Sequence, residues 1–306
     1  MNATRRDVLR AALGAGAALL LPAGRLGAQP GALIERPIPS TGERVPVIGV
    51  GTARRWAAVT TAADRAALLE VLRQFANRGG KVIDTAPSYG AAEEVAGELV
   101  ADLGVRASLF LATKVGATGR RAGIDQIEAS FRQLRTSRID LIAVHNLRDT
   151  ATQLRTLRDL QQAGRIRYVG ITTSFPGQYD DIARTMRAER LDCIQVDYAL
   201  DRREAAATIL PLAADRGMAV MINLPFGRGR LFQAVRGQAL PPWASELDCA
   251  SWAQFFLKYI VSHPAVTCCV PGIASVEYLL DNLGAAQGRL PDAGMRRRME
   301  EFIGRL

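Results

Sequence analysis

Apolar and polar positions alternate along this chain in a rhythm that repeats eight times. Short apolar runs with strand character cover residues 81–84, 109–114, 139–145, 168–172, 193–196, 219–224 and 267–271. An earlier one, residues 45–52, opens the series. Between them the apolar spacing changes to that of one helix face. The segment 63–78 carries Leu68, Leu72 and Phe75 on one side, and 92–103 carries Val95 and Leu99 four apart. Similar helical patterns cover 124–135, 152–163, 176–187, 203–216, 249–262 and 275–286. Eight strands, each followed by a helix, predict an α/β fold of the (β/α)8 TIM-barrel type rather than a six-stranded open sheet. Residues 33–47 alternate around Ser40-Thr41-Gly42-Glu43, which predicts an N-terminal β-hairpin outside the repeat. Residues 226–246 form a long connection after the seventh strand, and long connections inside compact domains are usually functional.

The first residues follow different rules. A twin arginine, Arg5-Arg6, precedes an apolar run at 11–21 that is too short to cross a bilayer comfortably. Leu26-Gly27-Ala28 then resembles a small-residue cleavage site. Residues 1–28 therefore read as a Tat-type export signal, with an uncleaved amphipathic anchor as the other reading. The barrel is assigned to 29–306, and the Tat machinery becomes an expected partner. The expected location is periplasmic or secreted, in a bacterial cell.

Composition adds limits. The chain has 306 residues, 48% of them hydrophobic, enough for one large domain with a full core. The formal net charge is +9, but the arginines are scattered, with no basic run interleaved with aromatics. Nucleic acid is therefore not an expected partner, whereas phosphate-bearing ligands fit the surface. The four cysteines, Cys193, Cys249, Cys268 and Cys269, show no metal-ligand spacing. Cys268 and Cys269 are adjacent in a strand and face opposite ways, so they are expected to stay reduced.

The polar residues at strand ends are the candidates for chemistry. Asp84 closes the second strand and Tyr89 follows on its loop, within Asp84-Thr85-Ala86-Pro87-Ser88-Tyr89-Gly90. Lys114 closes the third strand and His145 the fourth, while Gln195 lies late in the sixth. Taken singly, Asp84 reads as a helix cap, Tyr89 as a half-buried ring and Lys114 as a solvated end. In a barrel, all of them converge on the carboxyl-end face, where such folds place their chemistry. His263, beside Pro264 at a helix end, reads as structural.

This constellation resembles the aldo-keto reductase superfamily across about residues 34–286. The motifs that carry the resemblance are 84–90, Ala112-Thr113-Lys114, Ile139-Asp140-Leu141 leading to His145, and Val270-Pro271-Gly272 with Ser275 and Asp281-Asn282-Leu283-Gly284. The resemblance implies a catalytic tetrad of Asp84, Tyr89, Lys114 and His145 and reduction of a carbonyl by hydride transfer, or the reverse, with no metal. Tyr89 would donate the proton, with Lys114 favouring its phenolate, Asp84 holding Lys114, and His145 orienting the carbonyl oxygen. Trp56, Tyr89 and His145 would line the substrate pocket, with Trp243 as a further candidate wall.

The implied cofactor is NADP(H) or NAD(H). Gly51, Thr52, Thr172, Thr173 and Gln195 would meet its nicotinamide end. Phe226, Gly227 and Arg228 would form the loop over the pyrophosphate, and Gly272, Ser275, Asp281 and Asn282 would meet the adenosine. Two positions depart from the family pattern. Asn223 stands where an aromatic ring usually stacks on the nicotinamide, with Tyr198 or Phe226 as candidate substitutes. Gly272, Ala274 and Tyr278 occupy the places of the basic residues that clasp a 2′-phosphate. A cofactor-binding redox sensor or regulatory subunit with little turnover is the alternative function. A lyase or isomerase using Lys114 as a Schiff base leaves Asp84 and Tyr89 without roles. The chain ends soon after the eighth helix, so an open pocket is expected.

Overall fold

The structure, a computed structural model, describes residues 31–306. The proposed export signal lies outside the described residues. A two-stranded antiparallel hairpin, β1 (Glu35–Pro37) and β2 (Arg44–Pro46), comes first. Eight parallel strands follow: β3 (Val50–Gly51), β4 (Val82–Asp84), β5 (Phe110–Val115), β6 (Ile139–His145), β7 (Ile166–Thr172), β8 (Cys193–Asp197), β9 (Ala219–Asn223) and β10 (Cys268–Cys269). They pair in sequence order from β3 to β10. The seam between last and first is closed by parallel bridges, Ile48 with Cys269 and Gly51 with Gly272. Gly49 N donates to Cys269 O and Gly51 N to Pro271 O, both at 2.8 Å. A Cβ on Gly51 would stand 2.7 Å from Val270 O, so the seam requires glycine there.

The helices α1 (Ala62–Asn77), α2 (Ala92–Leu103), α3 (Arg120–Gln133), α4 (Thr150–Gln162), α5 (Tyr179–Ala188) and α6 (Ala205–Asp215) each follow a barrel strand, from β3 to β8. After β9 come the short α7 (Arg230–Ala234) and then α8 (Trp252–Val261); α9 (Val276–Gly284) follows β10. Side-chain caps fix several helix starts. Thr61 accepts from Asp64 N before α1, Ser251 from Gln254 N before α8, and Ser275 from Tyr278 N before α9.

Alternation along the strands splits the core in two. Val82, Phe110, Ala112, Leu141, Tyr168, Cys193, Ala219, Met221, Cys268 and Val270 fill the barrel interior. Their sequence neighbours, such as Ile83, Leu111, Ile142, Val169, Ile194, Val220 and Cys269, face the helix layer. Cys268 and Cys269 thus point to opposite sides, and all four cysteines are free thiols. Ile38 and Val45 of the hairpin join the inner cluster. Tyr168 bonds Thr41 and Glu43, so the hairpin plugs the barrel at the amino ends of its strands.

The structure adds detail or correction in three places. Residues 45–52 are not one strand: Val45 and Pro46 belong to the hairpin, and the barrel strand proper is Val50–Gly51. The connection 226–246 is built, with 3-10 turns at Gly227–Gly229 and Pro242–Leu247 around α7. The chain does not stop after α9. A further helix, α10 (Ala293–Ile303), packs on α8 through Arg296 on Tyr259 and Phe302 on Trp252.

Gly97 shows how tightly the outer layer packs. A Cβ there would lie 2.0 Å from Gln133 O and 2.7 Å from Leu134 Cα, both backbone atoms of the α3 end. Overpacking of this kind costs about 1–3 kcal/mol. Gly97→Ala is expected to lower the midpoint of urea unfolding accordingly, and an unchanged midpoint would show that α2 and α3 can separate freely.

Candidate active site

The inward-facing series on each strand ends in a polar residue. Val82 is followed two places on by Asp84, Ala112 by Lys114, and Ala143 by His145. Gly170 is followed in the same way by Thr172, Cys193 by Gln195, and Met221 by Asn223. Because side chains alternate at every residue, these six share the interior face at the carboxyl ends of β4 to β9. They line one cavity of about 500 Å³ together with Tyr89, a volume in the range of ligand sites.

Lys114 sits at the centre of the group. Its Nζ donates to Asp84 Oδ1 at 2.8 Å, to Asp84 Oδ2 at 3.0 Å and to Thr85 O at 2.7 Å. Lys114 is 2% exposed and Asp84 6%. Burial acts to lower the lysine's pKa, but the charges of Asp84, Tyr89 and Glu93 with the Asp84 hydrogen bonds outweigh it, and the net shift is upward. The ammonium therefore keeps its charge in a dry setting. It also lies 5.3 Å from the centroid of the Tyr89 ring.

Tyr89 is carried over the strand ends by tight turns. Its N–H donates to Ala86 O at 3.0 Å, and its own carbonyl accepts from Ala92 N at 3.2 Å as α2 begins. The His145 ring meets it edge-on, with centroids 6.2 Å apart. Burial first, then the positive charges of Lys114 and Arg148, lower the His145 pKa to about 4. At neutral pH this histidine is an uncharged imidazole with one N–H to give.

Behind this layer lies a carboxylate that the sequence reading missed. Glu93 is fully buried and accepts from Thr113 Oγ1 at 2.5 Å and Ser130 Oγ at 3.1 Å. Burial raises its pKa against those two bonds and the charge of Lys114. The available signal was its place on the apolar stripe of α2, three, four and seven residues before Ala96, Gly97 and Val100. Arg54, Asn146, Ser174 and Phe175 also line the cavity and were not anticipated.

The cofactor candidates divide. Gly51, Thr52, Thr172, Gln195, Asn223, Phe226, Arg228 and Gly272 line the cavity. Gly227 does not; it packs against the Asp201–Arg230 ion pair. Thr173 turns its hydroxyl onto Gln178 Oε1 at 2.5 Å. Ser275 caps α9, and Asp281 accepts from Ser251 and Gln254, tying α9 to α8. Asn282 is buried on α9, outside the cavity lining.

The aromatic candidates need correction. Trp56 is fully buried, with Nε1 on Ile273 O at 2.9 Å, and does not line the cavity. Trp243 packs on Phe255, Phe302 and Arg298 instead. Tyr198 lies in the helix layer, stacked on Tyr259 and bonded to it at 3.1 Å, so it cannot replace a ring at Asn223. His263 is structural, its Nδ1 accepting from Ala265 N.

Two buried polar atoms on the cavity wall have no hydrogen-bond partner among the described residues: Gln195 Nε2 and Asn223 Oδ1. Arg54 and Arg228 at the rim form no ion pair among the described residues. An unused donor, an unused acceptor and two uncommitted arginines suit a ligand with an amide and an anionic group, which a nicotinamide dinucleotide has.

Comparison with known proteins is consistent with this geometry. The family model described as "Aldo/keto reductase family" matches residues 47–300. The chain is 30% identical over 213 residues to the aldo-keto reductase YhdN of Bacillus subtilis, a match spanning 63% of this chain and 62% of that protein. It therefore covers less than two thirds of that relative's length. It is 28% identical over 257 residues to the methylglyoxal reductase YeaE of Escherichia coli, covering 81% of this chain and 88% of the relative. Its fold is similar to that of an aldo-keto reductase of Klebsiella pneumoniae solved with NADPH, at a TM-score of 0.72 and 24% identity over 86% of this chain and 92% of that one.

The histidine carries a stability prediction. An imidazole with a folded pKa of about 4 and an unfolded value of about 6.5 binds its proton more tightly when unfolded. Its contribution is therefore absent above pH 6.5 and destabilising as pH falls from 6.5 towards 4. The denaturation midpoint of His145→Asn is expected to drop less between pH 7 and pH 5 than that of the unchanged protein. Equal drops would place the His145 pKa near its ordinary value.

Proposed function

Because the chain belongs to the aldo/keto reductase family, we propose that it is an oxidoreductase that reduces an aldehyde or ketone to an alcohol, or runs the reverse, with NADP(H) or NAD(H). One observation carries the reading: a charged, buried Lys114 held by Asp84 under the ring of Tyr89, with neutral His145 beside it in the same cavity. The relatives named as reductases and the similar fold solved with NADPH support it.

A bound nicotinamide supplies the hydride that reaches the carbonyl carbon. The alkoxide oxygen left behind needs a proton, and Tyr89 Oη is the donor. Lys114 favours the resulting phenolate by its charge, and Asp84 with Thr85 O keeps that charge in place. His145, uncharged, gives its N–H to the carbonyl oxygen and aims it at Tyr89 without competing for the proton. Gln195, Asn223, Thr172 and Gly51 would hold the nicotinamide end, with Arg228 and Arg54 towards the phosphates. The 2′-phosphate would find no basic side chain at Gly272, Ala274 or Tyr278, so both dinucleotides are accepted as ligands.

Removing one oxygen separates this enzyme from a sensor. Tyr89→Phe is expected to bind NADPH and NADH with unchanged affinity in calorimetric titration. Its turnover of a reducible aldehyde should fall about 10²–10⁴-fold, the usual worth of a general acid. Turnover at the unchanged rate would remove Tyr89 from the chemistry. Tight binding of dinucleotide with no turnover of any carbonyl by the unchanged protein would favour the regulatory reading.

We further propose that the protein leaves the cytoplasm by the twin-arginine route, on the basis of Arg5-Arg6 and the apolar run after it. The site needs residues from six strands, so it exists only in a folded barrel, and this route carries folded proteins. Dinucleotide bound before export would stabilise the fold in transit. Changing Arg5-Arg6 to Lys-Lys should retain the protein in the cytoplasm with dinucleotide bound, as read by cell fractionation and nucleotide release. Undiminished export would remove the twin-arginine reading.

A further inference from the structure

Gln195 and Asn223 lie on neighbouring strands. The β8–β9 register pairs Gln195 with Met221 and Asp197 with Asn223, so the two amides are inward-facing neighbours two residues apart. Each has one end committed. Thr172 Oγ1 donates to Gln195 Oε1 at 3.0 Å, which leaves Gln195 Nε2 as a donor without a partner among the described residues. Asn223 Nδ2 donates to Thr173 O at 3.4 Å; a carbonyl only accepts, so Asn223 Oδ1 is the end left over. Gln195 is 3% exposed, and the two atoms are shielded from water. Leaving such atoms unpaired destabilises the fold, and pairing them favours a ligand that does so.

One buried donor beside one buried acceptor is the complement of a primary carboxamide, which brings a C=O and an N–H₂. A carboxylate, ester or ketone brings acceptors only and would leave Asn223 Oδ1 unpaired. The nearby hydroxyls do not compete, since Thr172 serves Gln195 and Thr173 serves Gln178. With Gln195 facing the carboxamide C=O, as the resemblance already implies, we infer that Asn223 is a positioning residue that accepts a hydrogen bond from the N–H₂ of the nicotinamide carboxamide. The ring is then oriented by hydrogen bonding at a place where an aromatic side chain would orient it by stacking. The inference rests on the nicotinamide reading of the cavity.

Its test is equilibrium binding, independent of turnover. The probes are NADP⁺ and its 3-acetylpyridine analogue, in which CH₃ replaces the carboxamide N–H₂ and the C=O is kept. Calorimetry on the unchanged full chain is expected to show the analogue bound about 5- to 100-fold more weakly, the equivalent of one unpaired buried acceptor. In Asn223→Leu the acceptor is gone, and the gap between the two ligands should shrink to about twofold or less. In Asn223→Asp the acceptor is retained, and the gap should persist. Equal binding of the two ligands by the unchanged protein overturns the inference and leaves the cofactor reading intact. A full gap in Asn223→Leu overturns it in the same way. Failure of the unchanged protein to bind either NADP⁺ or NAD⁺ overturns both.

Discussion

The ion pair between Lys114 and Asp84 sets the terms for the rest of this structure. A lysine ammonium taken out of water must be matched by charge and by hydrogen bonds, or it loses its proton or leaves the core. Here Asp84 and the Thr85 carbonyl supply both. That match depends on strand register. Asp84 is paired with Ala112 across β4 and β5, which places Lys114 one inward position further along. A slip of one residue would turn Lys114 towards the helices and bring Thr113 inside. Glu93 opposes such a slip from the outer side, because Thr113 and Ser130 both donate to it there. The inner cation and the outer carboxylate thus lock the same strand from its two faces.

A site made of strand ends is a property of the closed barrel. Asp84, Lys114, His145, Thr172, Gln195 and Asn223 come from six successive strands and meet only when the sheet curls. The last seam joins segments more than two hundred residues apart, Ile48 to Cys269 and Gly51 to Gly272. Such distant pairing forms slowly, because loop-closure entropy is lost before the contacts form. Gly51 and Gly272 are both seam and cavity wall, so completing the barrel also completes the pocket.

Much of this was legible in the sequence, for a physical reason. Parallel strands buried on both faces are apolar runs, and a polar residue at the end of one stands out. The eight strands and the residues Asp84, Lys114 and His145 emerged in that way, whereas the hairpin came from alternation around its turn and Tyr89 from the loop after Asp84. Side-chain direction within loops and helix ends did not. Trp56 looked like a pocket wall, but its one polar atom finds Ile273 O, which permits full burial. Asp281 and Ser275 were expected at the adenosine end from the resemblance alone; in the structure their side chains also tie α9 to α8 and cap α9. Glu93 was hidden by its charge, which argued for solvent although its spacing placed it on the buried stripe. Helix α10 carries four arginines among its eleven residues or just beyond them and only a thin apolar face, so its periodicity was weak.

The two ends of the barrel differ in what they leave unsatisfied, and that difference locates the ligand better than size does. A larger depression, about 880 Å³, lies at the amino ends of the strands and is rich in cations. Most of its charges are already spoken for, Arg138 being the exception among the described residues. Arg44 and Lys81 hold Glu35, Arg106 holds Asp140, and Arg167 holds Glu43 and Asp140. The smaller cavity at the carboxyl ends keeps an uncharged histidine and, among the described residues, an unpaired amide donor, an unpaired amide acceptor and two arginines without carboxylates. Protein interiors ordinarily pair such groups. Their concentration at one end means that folding alone does not complete the hydrogen bonding there. The free energy still to be gained by pairing the two buried amides is available to a bound molecule at the end where Lys114, Tyr89 and His145 meet.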